Sequence, residues 1–183
     1  MRWDALFADL EAQADAEAAA ELAAEVGERT RIETAALHLQ DRLRPAQGHP
    51  LVLSTAGTTV QGVLRSVGRD WILLEGERGG QALVRLAALV GLTGVGARSS
   101  TPGSEGRVIA GLGLGSALRA VARDRAPVII TLIDGSRLSG TLDRVGGDFL
   151  ELAEHPIGEA RRTGAVTAVR LIPFAGLAIV GSG

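Results

Sequence analysis

Residues 57–74 read GTTVQGVLRSVGRDWILL, and residues 135–152 read GSRLSGTLDRVGGDFLEL. At an offset of 78 the two stretches share Gly57/Gly135, Gly62/Gly140, Leu64/Leu142, Val67/Val145, Gly68/Gly146, Asp70/Asp148 and Leu74/Leu152. A second block follows each stretch. Val84-Arg85-Leu86-x-x-Leu89-x-Gly91-Leu92 matches Val169-Arg170-Leu171-x-x-Phe174-x-Gly176-Leu177 at an offset of 85. The second copy thus gains seven residues in one loop. An internal repeat sets the architecture before any other signal does. The shared residues are mainly glycines and aliphatics, with apolar runs between glycine turns, which is the pattern of short strands.

The chain of 183 residues accommodates two such units. Each is too small to bury much of its own surface, so the copies are expected to pack on helices, on each other or on another chain. Cysteine is absent, which excludes disulfides, thiolate metal sites and cysteine nucleophiles. Net charge is −2, and all 19 basic residues are arginine. That balance is not the basic one of a dedicated nucleic-acid binder. The alanine and arginine usage fits a GC-rich bacterial genome. No apolar run reaches the ~18 residues of a transmembrane helix, and no signal-peptide core opens the chain. The expectation is a cytoplasmic protein without membrane attachment.

Residues 1–44 read as a helical segment. Trp3, Leu6, Leu10, Ala14, Ala18, Leu22 and Val26 recur every three or four residues, which predicts one apolar face. Gly27 is a candidate kink, and Pro45 and Gly48 end the segment. The helix either covers its own strands or meets a partner in a coiled coil. Residues 49–94 form the first β-unit. Residues 95–106 are a Gly/Ser/Pro linker. Residues 107–126 form a second helix, and residues 127–183 the second β-unit.

Val128 to Leu142, VIITLIDGSRLSGTL, resembles the first motif of Sm-like proteins: a hydrophobic strand, an Asp-Gly turn, then hydrophobic-x-Gly-x-hydrophobic. Val169 to Val180 would be the second motif, with Leu171-Ile172-Pro173-Phe174 as the turn between strands four and five. The resemblance covers residues 107–183 and, more weakly, 30–94. It implies a mainly β fold with α: two tandem Sm-like, SH3-type five-stranded β-barrels, each preceded by helix, plus the long N-terminal helix. Barrels of this family associate through the edges of open strands, which implies an internal pseudo-dimer. The family's RNA-binding aspartate positions hold Gly68 and Gly146 here, and the Arg-Gly of its second motif is missing.

Asp70 and Asp148 recur at the turn between strands two and three. They read as turn residues capping backbone amides rather than as metal or ligand contacts. Arg85 and Arg170, at the same place in the sequence repeat, read first as an intramodule salt bridge or exposed strand residues, and are the best pair for a binding role, through phosphate or a partner's carboxylate. Arg161 and Arg162, in the longer second loop with His155, are a further basic candidate. Gly111-Leu112-Gly113-Leu114-Gly115 imitates a dinucleotide fingerprint, but Ser116 stands where the third glycine is needed. His38, His49 and His155 lack metal-ligand spacing. No catalytic constellation, cofactor site or metal site is read.

Three functions follow. The family resemblance implies a non-catalytic binding protein, an RNA-associated regulator with arginines on phosphate. The alternative is a protein–protein interaction adaptor or scaffold that uses the N-terminal helix and barrel edges, including self-association. A nucleotide-binding enzyme ranks last. Aromatic residues at 3% supply a poor stacking platform for single-stranded nucleic acid.

Overall fold

A computed structural model describes residues 2–100, 111–156 and 166–182. Two compact units divide the chain, Met1–His38 and Leu39–Gly183.

The first unit holds helix α1, Arg2–Ala35. Alanine, the strongest helix former, carries it through Gly27 without a break. Its apolar residues do not form one face. Steps of four residues overshoot a 3.6-residue turn by about 40° each, so the stripe winds around the helix. Leu10 and Val26 lie on nearly opposite sides as a result. Trp3, Leu6, Phe7, Leu10, Leu22, Val26 and Ile32 are all exposed.

The second unit begins with helix α2, Leu39–Leu43, and a 3₁₀ turn, Arg44–Ala46. Strands β1 (Pro50–Thr55), β2 (Thr59–Val67), β3 (Trp71–Glu75), β4 (Gln81–Arg85) and β5 (Leu89–Thr93) follow. Helix α3, Leu114–Asp124, opens the second half. Then come β6 (Pro127–Leu132), β7 (Arg137–Val145), β8 (Phe149–Glu154), β9 (Ala168–Pro173) and β10 (Leu177–Ser182).

These ten strands form a single antiparallel sheet in the order β5-β1-β2-β3-β4-β10-β6-β7-β8-β9. The expectation of two separate five-stranded barrels is therefore corrected. The halves do not close on themselves, because β4 and β10 pair with each other across them. Small five-stranded units have little core of their own, and merging them buries more apolar surface.

Each half nonetheless repeats the other. The order fifth, first, second, third, fourth strand occurs twice. The register slips at Arg65 in β2 and at the equivalent Asp143 in β7, and such bulges bend a strand. Gly62 and Gly140 allow the neighbouring strand to come close: a Cβ would lie 2.6 Å from the Glu75 carbonyl oxygen and 2.1 Å from that of Ala153. At Gly68 and Gly146 the space of a side chain is filled by the rings of Trp71 and Phe149.

The strand pairings also correct the repeat itself. Trp71 faces Arg85 in β3–β4, and its equivalent Phe149 faces Pro173 in β8–β9. The fourth strands are thus related by an offset of 88, not 85. The fifth strands agree, since Leu53 faces Leu92 while the equivalent Ile130 faces Val180. The second copy has ten extra residues before β9, and its turn is Phe174–Gly176, with Leu171–Pro173 still within the strand.

The core lies in two clusters that cross the boundary between halves. One joins Trp71 and Leu83 of the first half to Leu114, Leu118, Ile130, Leu142, Leu150 and Val180 of the second. The other joins Ala178 and Ile179 of the second half to Leu43, Leu51, Leu53, Leu64, Ile72 and Val84 of the first. Helix α3 places Leu114 and Leu118 into the first cluster, with Ala117, Val121 and Ala122 packed against it, a spacing that gives one apolar stripe.

Candidate functional site

The sequence-predicted arginines are placed apart and given intramolecular partners. Arg85 ends β4, and its Nη1 donates to the Ala175 carbonyl oxygen at 3.0 Å, tying the first half to the 3₁₀ turn of the second. Arg170 lies inside β9, where its Nε donates to Glu154 Oε1 on the adjacent strand β8. That hydrogen bond, with the charge of Glu154, holds the Arg170 guanidinium above its ordinary pKa. In the structural repeat Arg85 corresponds to Pro173, and Arg170 to Ala82. The two arginines are not equivalent, so the sequence-based pairing is corrected. Arg161 and Arg162 lie outside the described residues, as do residues 101–110 of the expected linker and second helical segment.

Asp70 carries a role that turn chemistry alone does not describe. Its Oδ1 accepts a hydrogen bond from the Leu114 amide at 2.7 Å. Leu114 is the first residue of α3, where backbone amides lack partners within the helix. A carboxylate at that end meets both the free donors and the positive end of the helix dipole. The cap therefore crosses from the first half to a helix of the second. Beside it, the Arg69 amide and Trp71 Nε1 both donate to the Leu112 carbonyl oxygen, at 3.1 and 2.9 Å. The glycine-rich stretch before α3 thus serves as the seat of these contacts. Gly113 lies so close that a Cβ would sit 2.6 Å from the Arg69 guanidinium. Asp148 shares with Asp70 only the backbone contact: Phe174 donates to the Asp148 carbonyl oxygen as Leu86 does to that of Asp70. No carboxylate hydrogen bond of Asp148 is found among the described residues.

His155, expected in the longer loop, is buried at the end of β8. Its Nδ1 faces the Pro156 carbonyl oxygen at 3.0 Å, and its Nε2 faces the Thr141 hydroxyl at 2.9 Å. A carbonyl can only accept, so Nδ1 donates to Pro156, while the Thr141 hydroxyl can serve Nε2 as either donor or acceptor. No sequence signal distinguished this histidine, because Thr141 reaches it only through the pairing of β7 with β8. Among the described residues no group of three or more His, Asp or Glu side chains is arranged to hold a metal ion. No described helix is long and apolar enough to cross a membrane. A cavity of 580 Å³ opens beside β1 and β2 and includes Arg65 and Glu75, which are ion-paired to each other at 2.5 Å.

What the surface does offer is exposed apolar side chains at particular places. They lie along α1, at Val90 in β5, at Val169 and Leu171 in β9, and singly at Leu39, Val52, Leu112 and Ile133. Strands β5 and β9 are the two ends of the sheet. Comparison with known proteins finds no matching family model, no matching curated protein and no matching solved structure.

Proposed function

We propose that this chain is a non-catalytic protein-interaction scaffold that makes its contacts through α1 and the open edges of its sheet. The observation that carries the reading is α1 itself: a helix of 34 residues whose large apolar side chains are exposed along its length. In globular proteins most helical stability comes from tertiary packing, so an exposed helix of this length is suited to gain stability by packing on a partner. Arg85 and Arg170 donate to Ala175 and Glu154 within the chain, which favours the scaffold reading over phosphate contact by these two arginines.

The test replaces Leu10, Leu22 and Val26 together with glutamate. These positions are exposed, so helix content should stay unchanged by circular dichroism while proteins captured by the wild-type chain are lost. Capture that survives the triple substitution contradicts the reading. A mobility shift of RNA at low salt that weakens steeply as salt rises would instead establish the nucleic-acid alternative.

A further inference from the structure

The chain is poor in aromatic residues, and two of its five stand where solvent reaches them. It has two tryptophans, three phenylalanines and no tyrosine. Trp71 is buried, and Phe149 and Phe174 are half-buried. Trp3 and Phe7 are 70% and 60% exposed. They share the first turns of α1 with Leu6 and Leu10, which are 47% and 51% exposed.

These four residues are spaced i, i+3, i+4 and i+7. At about 100° per residue they fall within a sector of about 100°, and Trp3 and Leu10 lie about 10.5 Å apart along the axis. The winding that carries Val26 to the far side therefore does not split this group. The patch ends after two turns, because Glu17 and Glu21 take the same face. Glu11 and Asp15 run along its flank beside Phe7, and all four acidic residues are exposed. From Trp3 to Glu28 the chain has eight acidic residues and no basic one.

Charge and length together select the occupant. A coiled coil needs an apolar seam sustained over three or four heptads, and this patch lasts two turns. Pairing of two α1 helices would also set acidic rows against each other. A helix that lies on a membrane carries lysine and arginine on its polar face, and residues 3–28 have neither. An amphipathic helix laid in an apolar groove, by contrast, is held through anchors at i, i+3, i+4 and i+7. Tryptophan is enriched among the anchors that dominate binding energy. Carboxylates around such anchors match a rim of opposite charge, which steers encounter and rejects wrong partners.

We propose that Trp3, Leu6, Phe7 and Leu10 dock as one helical motif into an apolar groove of a partner protein, with arginine or lysine on the groove's rim facing Glu11, Asp15, Glu17 and Glu21. This deepens the scaffold reading and rests on it: it names the part of α1 that binds and the surface it fits.

Tryptophan fluorescence of the full chain tests this, because Trp3 is open to solvent and Trp71 is not. The probes are a synthetic amphipathic leucine–lysine peptide, which offers an apolar face rimmed by cations, and its leucine–glutamate counterpart. The lysine peptide should move the Trp3 emission to shorter wavelength and protect it from acrylamide. The effect should weaken as salt rises, since exposed charges are screened. Leu6→Ala should weaken the binding about tenfold or more, as for an anchor side chain, with helix content unchanged. The glutamate peptide should leave the emission as it was. No response to the lysine peptide, or an equal response to both peptides, overturns the proposal. So does a shift on phosphatidylcholine–phosphatidylglycerol vesicles, which would make the patch a membrane anchor. A shift with the chain's own concentration overturns it too, as a self-contact. Capture separates the motif from the scaffold reading beneath it. Proteins bound by the wild-type chain should be lost with Leu6→Glu plus Phe7→Glu and kept with Leu22→Glu plus Val26→Glu. The reverse pattern overturns the motif and leaves the scaffold reading standing.

Discussion

The centre of the sheet and its two ends are built from the same strands and differ in what covers them. At the centre, β4 and β10 share hydrogen bonds, Asp70 caps α3, and Arg85 reaches Ala175. At the ends, β5 and β9 carry Val90 and Leu171 into the open. The difference teaches that the repeat supplies interfaces as well as strands. An element that is core in one copy becomes surface in the other solely because of its place in the order.

Substitutions made in equivalent pairs should break this symmetry when measured by urea unfolding. The largest effect is expected at the rings. Trp71→Ala should cost about 3–5 kcal/mol, because the buried ring fills both core and junction. Phe149→Ala should cost less, since its ring is only half-buried. Equal losses would mean that the junction adds nothing to Trp71. Next, Leu83→Ala should cost about 2–5 kcal/mol, whereas Leu171→Ala should stay within about 0.5 kcal/mol of wild type. A large loss at Leu171 would show that β9 is already covered within one chain.

The capping pair follows. Asp70→Ala should lose about 1 kcal/mol, typical of a removed helix cap, and Asp148→Ala should change little. The smallest effect concerns acid. Asp134 accepts from both the hydroxyl and the amide of Ser136, at 2.7 and 2.9 Å, and the hydroxyl bond chiefly lowers its pKa from 3.8. A carboxyl depressed in the folded state stabilises above its ordinary value and loses that contribution as pH falls through the lowered one. Below pH 3.8 the wild-type chain should therefore lose a small increment of stability that Asp134→Ala lacks. The equivalent turn of the first half has Ala56 and Gly57 and no such acid. Parallel acid profiles for the two chains would remove this difference between the turns.

Much of the strand content was legible because glycine turns punctuate aliphatic runs, and the two bulges fall where the repeat predicts equivalent bends. The joining of halves was not legible as one sheet. Strand pairing across halves is set by edges finding each other, and no local pattern marks Gln81–Arg85 as belonging beside Leu177–Ser182. The offset error has a similar origin. Val84-Arg85-Leu86 and Val169-Arg170-Leu171 match as letters, but pairing to β3 and β8 fixes which residue faces which, and Arg85 aligns with Pro173. The repeated aspartate was visible as a turn residue, while its cap on α3 depended on a helix 44 residues away. In α1, steps of four suggested a face, although strict repetition of four winds it away.

Disulfide trapping tests the difference between the centre and the ends most directly, because the chain contains no cysteine of its own. Directly paired residues on antiparallel strands lie about 4.5–5.5 Å apart between Cα atoms, within the span a disulfide bridges. One chain would carry Ala82→Cys and Gly181→Cys, which face each other across the centre, and another Leu92→Cys and Leu171→Cys, on the two end strands. Under mild oxidation an internal disulfide is expected in the first chain and none in the second. Free thiols in the first chain, or an internal disulfide in the second, would contradict a single sheet joined at its centre and open at its ends.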